Sequence, residues 1–399
     1  MISLRTQKSV TDRRRALEKE LGIELPHIGT YAINGEIASE KNCENMIGVT
    51  QIPLGIAGPL ELKITTTHNP QPIYPPKPRR RWTYRDFFLP LATTEGALIA
   101  SVNRGCKVIG QSGGCEVTVT KVGVTRSPVF EVKDESEAAS LTRWIGESSE
   151  LFQTVTAQTS TYAKYLGSRA ECVGNKVFVN MSFDTGEAMG MNIVTKATTA
   201  IARCIESEKK VRCITVAGNF DSDKKPSKEN SERGRGRIVV ASVTIPKEIL
   251  TTTLKTTARA MYEVWKDKCV TGSALARAIG SNCHHANIVA AMYIATGQDP
   301  AHVVEGSVGS TTTNYTQAGD LDISVRLPCI MVGSIGGGTT LETQAEAMNI
   351  IDSGKKVEAD TLAKVVGGAV LAGEISLLAS LSEGSLSRAH ESLARGKKK

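Results

Sequence analysis

The sequence predicts an α+β fold with a sizeable hydrophobic core, and three observations lead to this fold class. Short segments in which apolar and polar residues alternate, such as 116–132, are typical of strands. Longer segments with apolar residues at helical spacing, such as 358–382, are typical of helices. Of the 399 residues, 40% are hydrophobic and 22% are charged, which excludes disorder for most of the chain. This length suits roughly two to three domains.

The N-terminal part of the chain contains three recognisable segments. Residues 1–25 combine alternating charges with apolar residues such as Leu17 and Leu21, which predicts a small basic amphipathic helix that packs on the fold or on a partner. Residues 65–85 contain five prolines and three consecutive arginines, so a helix is excluded and an exposed loop is favoured. Residues 93–101 (TTEGALIAS) are typical of a helix start.

The middle of the chain alternates between strand and helix patterns. The strand pattern at 116–132 is followed by a helical pattern at 136–166 and a short strand pattern at 176–181. A helix at 187–207 and a strand at 211–216 complete the series. This order predicts a compact α+β subdomain inserted into a larger one.

The C-terminal half is predicted to be mainly helical. Two alternating segments, IVVASVTI at 238–245 and LDISVRL at 321–327, are predicted as strands. Helices are predicted over 247–267, 284–296, 341–352 and 358–382.

The lack of a secretory signal pattern in the first twenty residues and the spacing of the cysteines predict a soluble cytoplasmic protein. The first twenty residues lack the apolar core of a secretory signal, and the apolar run at 288–295 is far shorter than the ~20 residues that cross a bilayer. Nine cysteines occur without Cys-x-x-Cys spacing, which favours reduced, mostly buried thiols. Cys283, His284 and His285 form a metal-like group, but zinc sites rarely use adjacent residues in this way, so we expect no metal.

The charge balance indicates an anionic ligand without deciding its class. Lys and Arg total 48 against 41 Asp and Glu, and the net charge of +7 suits a polyanionic ligand as well as a nucleic acid. Aromatic residues make up only 5% of the chain, which argues against a stacking-based RNA binder or a carbohydrate-binding β-sandwich. The RGRGR run at 233–237 fits either phosphate or RNA binding, or the entry into the next strand.

Two glycine-rich segments and one lysine pair carry the remaining chemical signals. Residues 333–339 (GSIGGGT) lie between a strand and a helix, so their N–H groups either cradle a phosphate or form a tight turn. Gly190 in AMGMN allows a close backbone approach, although its flanking methionines are also typical of a core. The DKKP segment at 223–226 suits oxyanion stabilisation or a solvated loop. Spacing alone connects none of three other polar candidates, Glu95, Asp320 and His390.

Taken together, long segments of the chain resemble one family, the 3-hydroxy-3-methylglutaryl-coenzyme A (HMG-CoA) reductases. The matching segments run in family order and cover most of residues 43–390. They are ENMIGVTQIPLGIAGPL (44–60), LATTEGALIASVNRGCKVIG (91–110), GEAMGMNIVTKA (186–197), DKKP (223–226), KTTARAMYEV (255–264), HHANIVAAMYIATGQD (284–299), GDLDIS (319–324) and GSIGGGTTL (333–341). The chain looks like the soluble archaeal form of the class related to the eukaryotic catalytic domain.

The resemblance implies a reaction and four catalytic residues. The family reduces the thioester of HMG-CoA to mevalonate with two NADPH, through a hemithioacetal and mevaldehyde. Lys224 matches the lysine that stabilises the developing oxyanion, and Glu95 matches the acid that protonates the new alkoxide. Asp320 matches the carboxylate between them, and His390 matches the histidine that protonates the departing CoA thiolate.

The resemblance also implies three groups of binding residues. Those expected to contact the HMG carboxylate and its surroundings are Arg126, Asp223, Lys225, Lys268 and Asn287. Those expected to contact CoA, as part of the substrate, are Ser101, Asn103, Arg104 and Lys107. Those expected to contact the nicotinamide cofactor are Ser160, Glu187, Met189, Gly190, Met191, Asn192, Gly336 and Gly337.

Three departures from the family pattern concern the cofactor and the pocket. Glu187 stands where the family usually has Asp, so the nicotinamide contact is expected to be displaced by one methylene. Thr161 stands where relatives have an Arg for the 2′-phosphate, which makes NADH an alternative to NADPH. Ala217 stands where relatives have Ser, which removes one hydroxyl from the substrate pocket.

The resemblance further implies three parts and an oligomer. Residues 1–43 form an N-terminal helical segment, residues 44–126 and 217–399 a large α/β domain for HMG-CoA, and residues 127–216 a small ferredoxin-like domain for NADP(H). Because the family builds its sites at a dimer interface, a homodimer or homotetramer is expected, with neither nucleic acid nor membrane as partner. Two other functions are kept as alternatives: an NAD(H)-dependent degradative reductase and a non-enzymatic polyanion-binding protein.

Overall fold

A computed structural model describes residues 4–65 and 82–384, and within them ten strands form one sheet against which the helices pack. This arrangement confirms the predicted α+β class. The strands are β1 (Leu54–Thr65), β2 (Trp82–Ala92), β3 (Cys115–Arg126), β4 (Val129–Glu131), β5 (Lys164–Val173), β6 (Lys176–Asp184), β7 (Arg212–Thr215), β8 (Gly236–Ile245), β9 (Ser310–Tyr315) and β10 (Leu321–Ile330).

Helices of very different lengths connect these strands. The α-helices are α1 (Val10–Leu21), α2 (Gly35–Lys41), α3 (Leu98–Gln111), α4 (Glu135–Glu147), α5 (Ser149–Thr159), α6 (Met191–Lys209), α7 (Lys228–Arg233), α8 (Lys247–Thr252), α9 (Ala258–Trp265), α10 (Ser273–Leu275), α11 (His285–Ala295), α12 (Val303–Gly306), α13 (Glu342–Ile351) and α14 (Ala359–Glu383). A π-helical turn, Lys266–Gly272, joins α9 to α10.

The larger of the two main cores surrounds α14. This 25-residue helix is buried along most of its length because α3, α9, α11 and the sheet all pack on it. Gly105 of α3 permits a very close crossing, since a Cβ there would lie 1.9 Å from Ala372 O. By length and hydropathy α14 would qualify as a membrane span, but 78% of its apolar window is buried inside the fold. This helix is longer than the apolar run at 288–295 from which a membrane span was judged absent in the sequence.

A second core lies under the segment from β4 to β7. In chain order this segment is β4, α4, α5, β5, β6, α6 and β7, and its antiparallel sheet has the order β7-β4-β6-β5. That is the strand order of a ferredoxin-like unit. Phe152, Tyr165 and Phe183 pack edge to face in its interior, with centroids 5.7 Å apart. The division of the chain into two domains at 127 and 216 stays a prediction.

Strand β3 joins the two cores. Its first part pairs with β8 and with β1, whereas its last three residues pair with Met181–Phe183 of β6. The strand then ends at Arg126, at the junction of the two cores. A side chain at this junction can contact both parts of the fold.

Several element predictions need correction. The single helix predicted at 136–166 is α4, α5 and the start of β5, because the chain breaks at Ser148 and at Ser160. The helix predicted at 247–267 is broken before α9, where Lys255 has a φ of 58° and Thr257 caps the next helix. Strand β9 was not predicted from the sequence.

The N-terminal predictions are partly wrong. β1 and β2 form an antiparallel pair, so residues 82–85 belong to a strand and not to the predicted loop. Residues 66–81, with the three arginines, lie outside the described residues. In α1 the predicted apolar Leu21 is 56% exposed, and the buried contacts come from Val10 and Arg13.

Candidate active site

Lys224 lies in the loop between β7 and α7 and is paired with Asp299. Its Nζ is 2.7 Å from Asp299 Oδ2. The Lys224 backbone has a φ of 56°, in the left-handed region, within a turn closed by the Lys225 N–H to Ser222 O hydrogen bond. The two side chains are 40% and 30% exposed, so this ion pair opens to solvent and can meet a ligand.

The carboxylate beside Lys224 is therefore Asp299 and not Asp320. Asp320 lies directly before β10, where its Oδ1 accepts a hydrogen bond of 3.0 Å from the N–H of Lys247, the first residue of α8. It thus satisfies an otherwise unpaired N–H group at a helix start. Asp299 is the last residue of the matching segment HHANIVAAMYIATGQD, so the sequence did contain the signal for it.

A buried network of charges lies behind the Lys224–Asp299 pair. Arg235 is fully buried, and its Nη1 lies 3.0 Å from Asp223 Oδ1 and 2.7 Å from Glu305 Oε1. Arg126 Nη1 lies 3.3 Å from Asp223 Oδ2 and 3.5 Å from Asp221 Oδ2. Each of these carboxylates therefore faces a guanidinium, which offsets the cost of removing it from water.

The predicted substrate residues Arg126 and Asp223 are thus paired with each other. Arg126 also donates from Nε to Thr195 Oγ1 of α6 at 3.1 Å, so it contacts both cores. Lys225 is exposed, and its Nζ donates to the Asp223 carbonyl oxygen at 3.1 Å. Of these three residues, Lys225 keeps its charge closest to solvent.

The two acids at the ends of this network have opposite pKa shifts. Burial alone raises the pKa of Asp299, but hydrogen bonds from Lys224 and from the Ala301 N–H, with the charge of His302, lower it overall. For Asp221, burial raises the pKa more than Arg235 and Arg126 lower it. Asp299 is therefore the ionised partner of Lys224, whereas Asp221 takes up a proton more readily.

The two glycine-rich segments meet in the structure. Gly333 approaches Met189 so closely that a Cβ at Gly333 would lie 2.4 Å from Met189 N. Ala188 and Ile335 form a parallel bridge, and Glu187 O accepts the Ser334 N–H at 2.8 Å. The two segments form one surface, with two exposed glycines at its edge, Gly336 and Gly337.

Helix α6 begins directly beside this surface. Gly190 is its N-cap, with a φ of 94°, and the first turn has neither a side-chain cap nor an acidic residue. The first N–H groups of this 19-residue helix, together with exposed Asn192, can therefore receive an anionic or polar ligand group. The side chain of Met191 is buried, and its sulfur atom accepts a hydrogen bond from Arg235 Nη2 at 2.9 Å. This contact connects the surface to the charge network.

Two other predicted cofactor residues have local partners. Glu187 Oε2 accepts hydrogen bonds from Ser334 Oγ at 2.5 Å and from the Ala359 N–H at 2.7 Å, so its carboxylate is held at the start of α14. Ser160 ends α5, and its Oγ accepts the Tyr162 N–H at 3.1 Å in a turn that also exposes Thr161. Among the described residues, Ser160 makes no hydrogen bond to either glycine-rich segment.

Three further predicted residues lie on other elements. Glu95 is exposed after β2, Lys268 is exposed in the π-helical turn, and Asn287 lies in the first turn of α11. Within residues 4–65 and 82–384, none of these three side chains makes a hydrogen bond or an ion pair, with Lys224 or with any other residue. His390 lies outside the described residues. One chain therefore brings together only part of the predicted catalytic set.

Three of the four predicted CoA contacts support the fold. Arg104 of α3 donates to Ser376 Oγ, Ser376 O and Ser380 Oγ of α14 and pairs with Glu383 at 3.1 Å. Ser101 hydrogen-bonds Ser376, and Asn103 accepts the Gly58 N–H at 3.1 Å. The fourth of these residues, Lys107, is exposed, and its side chain makes no hydrogen bond or ion pair with the part of the chain that the structure describes.

The predicted metal-like group belongs to a buried cluster around Glu374 of α14. Glu374 accepts the N–H groups of Cys283 and His284 at 2.9 and 2.8 Å, and the Thr311 hydroxyl at 2.6 Å. His285 Nε2 hydrogen-bonds the same hydroxyl at 3.0 Å. Burial lowers the pKa of His285 to about 4 despite the charge of Glu374, so this imidazole is neutral.

Comparisons with known proteins agree on one family. A model described as hydroxymethylglutaryl-coenzyme A reductase matches residues 9–395. A 3-hydroxy-3-methylglutaryl-coenzyme A reductase from Pyrococcus abyssi is 41% identical over 390 residues, covering 96% of this chain and 92% of the relative. One from Methanothermobacter thermautotrophicus is 41% identical and covers 98% and 94%, and one from Methanocaldococcus jannaschii is 42% identical and covers 96% and 92%.

Solved structures share the fold at much lower sequence identity. A class II 3-hydroxy-3-methylglutaryl-CoA reductase from Streptococcus pneumoniae, bound to NADPH in open conformations, has a TM-score of 0.65 and 17% identity, with 95% of this chain and 100% of that chain covered. Another structure of the Streptococcus pneumoniae reductase has a TM-score of 0.67 and 16% identity, with 95% and 87% covered.

Proposed function

The chain belongs to the hydroxymethylglutaryl-coenzyme A reductase family and is an oxidoreductase, and we propose that it reduces HMG-CoA to mevalonate and CoA with NADPH. The observation that carries this proposal is the solvent-open Lys224–Asp299 pair, backed by buried charges that reach the start of α6. Reduction of a thioester places negative charge on the carbonyl oxygen. A fixed ammonium group next to a shielded network is the arrangement that stabilises such a charge.

Each side of the site takes a separate task in this proposal. The Lys224 ammonium donates to the developing oxyanion, and Asp299 keeps that ammonium in place and charged. Lys225, Lys268 and Asn287 bind the HMG carboxylate and its neighbours, and Arg126 and Asp223 hold the wall of the pocket. Glu95 protonates the alkoxide, and His390 protonates the CoA thiolate.

The surface formed by the two glycine-rich segments is the proposed site of the nicotinamide cofactor, which supplies hydride when bound. The uncapped amides of α6 and exposed Asn192 fit its polar and anionic groups. A nicotinamide cofactor bound to the Streptococcus pneumoniae reductase supports the same class of ligand here. Because Thr161 provides no cation and Glu187 is held by α14, the NADH-dependent degradative reaction is the second candidate.

A second copy of the chain completes the site in this proposal. Within one described chain, Glu95, Lys268 and Asn287 make no hydrogen bond or ion pair with Lys224, and the proposal places all four residues around one substrate. The β1–β2 pair exposes a group of apolar side chains that suits a protein interface. They are Leu54 and Ile56 of β1 and Tyr84 and Phe88 of β2, with Ile52 just before β1. The protein is thus expected to be a cytoplasmic homodimer or homotetramer, with CoA phosphates near Lys107.

A substrate-dependent assay tests the proposed reaction. We expect NADPH absorbance to fall when HMG-CoA is added, with two NADPH consumed per mevalonate formed. The same assay with NADH decides between the two reductases through the ratio of kcat/KM values, and a large NADH preference would overturn the choice of NADPH. If instead nucleic acid is retained in a salt-dependent way and no thioester-dependent oxidation occurs, the polyanion-binding alternative is correct.

A further inference from the structure

His302 lies between the Lys224–Asp299 pair and the buried charge network. It ends the short 3₁₀ turn Pro300–His302 that leads into α12, and its side chain is fully buried. Its Nδ1 hydrogen-bonds Glu305 Oε1. Its Nε2 lies 3.7 Å from Asp299 Oδ2, the oxygen that also pairs with Lys224. A carboxylate therefore faces each nitrogen of the imidazole ring.

The Nε2 atom of His302 is buried and has no hydrogen-bond partner among the described residues. The Glu305 carboxylate pairs with Arg235 and accepts hydrogen bonds, so His302 carries a proton on Nδ1. A neutral ring would then turn a lone pair toward the Asp299 carboxylate, and two acceptors would face each other in a buried site. An imidazolium would turn an N–H toward that carboxylate instead.

The charges around His302 favour the imidazolium. Three carboxylates, those of Asp223, Asp299 and Glu305, lie within 4.0 Å of its two ring nitrogens, so negative charge faces the ring from both sides. Asp223 Oδ1 also lies 4.0 Å from Nδ1 of the ring.

The other titratable groups near Glu305 add no charge. Burial, followed by the charge of Glu305, raises the pKa of Tyr293 on α11 and of Cys329 on β10, so both stay protonated and neutral. Asn230 of α7 donates to the second oxygen of Glu305 at 3.3 Å. The positive charge that His302 can supply is therefore not duplicated by these neighbours.

A metal ion is a poorer explanation of this cluster. Ligand atoms of Asp223, His302 and Glu305 lie within 4.8 Å of one another. However, Arg235 Nη1 already contacts Asp223 Oδ1 and Glu305 Oε1, the carboxylate oxygens that a metal would need. A metal ion would have to displace that guanidinium from both carboxylates in order to bind there.

We propose that His302 is a positioning residue for the reductase reaction: as an imidazolium anchored by Glu305, it faces Asp299 with Nε2 at 3.7 Å and holds this carboxylate against Lys224 by charge attraction. The proposal rests on the proposed function, because it assigns a role only if Lys224 acts on the substrate. The ring itself does not touch the substrate, since it is fully buried behind Asp299.

The test compares the His302→Gln enzyme with wild type by steady-state kinetics. Gln keeps a polar group of similar size but not the charge, so we expect kcat to fall about 10- to 100-fold, the range of one close charge interaction, with little change in KM for HMG-CoA. A general loss of folding would instead lower the amount of active enzyme and the urea midpoint together.

Matched variants separate this role from a purely structural one. His27→Gln changes an exposed histidine outside the site and should behave as wild type. Glu305→Gln should lower kcat as His302→Gln does, and the double variant should add little to either loss. A His302→Gln enzyme that keeps the wild-type kcat, or that loses activity only in proportion to a loss of folded protein, would overturn the proposal.

A spectroscopic measurement on the wild-type full chain covers the case in which His302→Gln fails to fold. With ¹⁵N-labelled histidine, we expect one of the six histidines to carry protons on both ring nitrogens at neutral pH and to respond to Glu305→Gln. A neutral ring at His302 would contradict the proposal. If wild type lacks HMG-CoA reduction altogether, the proposed function fails instead, whatever the spectrum shows.

Discussion

His302–Glu305 and His285–Glu374 are both buried histidine–glutamate groups, but their surroundings differ. At Glu305, the histidine contacts the carboxylate directly, a guanidinium balances the charge, and the far side of the ring faces Asp299. At Glu374, the Thr311 hydroxyl stands between ring and carboxylate, and two backbone N–H groups fill the remaining acceptor sites.

The difference shows how the same two residue types serve different ends. Burial keeps His285 neutral, and Glu374 accepts hydrogen bonds from two backbone N–H groups and the Thr311 hydroxyl, so the cluster joins α14 to α11 and β9. The Glu305 cluster contains carboxylates paired with guanidinium groups and extends to the solvent-open Lys224. We therefore expect changes at the first cluster to alter stability and changes near the second to alter turnover.

Replacing Lys224 should have the largest effect. Lys224→Ala removes the ammonium group that stabilises the oxyanion, which is worth ~3–4 kcal/mol in the barrier, so kcat should fall by about 10²- to 10³-fold. The urea midpoint should change little, because the side chain is 40% exposed. Steady-state kinetics and unfolding curves, with Lys228→Ala as the control for a lost exposed lysine, check this. Near-normal turnover would remove Lys224 from the catalytic role.

The second largest effect should come from acidification, which is expected to destabilise the His285 cluster. The pKa of His285 is lowered from 6.5 to about 4 in the folded state, so its stabilising contribution is complete above about pH 6.5. As pH falls from 6.5 toward 4, the unfolded chain binds the proton that the folded chain refuses, and stability falls by up to about 3 kcal/mol. The urea midpoint of wild type should therefore drop between about pH 7.5 and 5. His285→Gln should drop less, and an equal drop in both would contradict the burial of a neutral ring.

Removing the Thr311 hydroxyl should have the smallest of these effects. Thr311→Val deletes the donor to Glu374 and the partner of His285 while keeping the size of the side chain, which should cost about 1–3 kcal/mol of unfolding free energy. Thr312→Val, at the neighbouring exposed position on the other face of β9, should stay within about 0.5 kcal/mol of wild type. Thermal melts compare the two, and equal losses would mean that the buried hydroxyl has no special role.

The candidate site shows where residue patterns lead to the right contact and where they do not. The DKKP segment identifies Lys224 and the glycine-rich segments identify two parts of one surface, because short motifs contain their own local geometry. The predicted partner of Lys224, Asp320, was wrong. Asp320 and Asp299 are both acids in matching segments, and only the packing of the 3₁₀ turn at 300–302 brings Asp299 close to Lys224. The charge of Arg104 would suit a phosphate contact, but its guanidinium donates hydrogen bonds to α14 instead.

By itself, the sequence determined the α+β class, the family, the helix α14 and the motifs that carry Lys224, Gly190 and the segment 333–339. These follow from periodicity, glycine placement and long local matches, which depend on neighbours along the chain. Only the tertiary structure decided that Asp299 pairs with Lys224, that His302 stands behind them and that Arg235 is buried at the centre of the network. The physical reason is that pairing of buried charges depends on distance and desolvation between residues far apart in sequence, which no local pattern records.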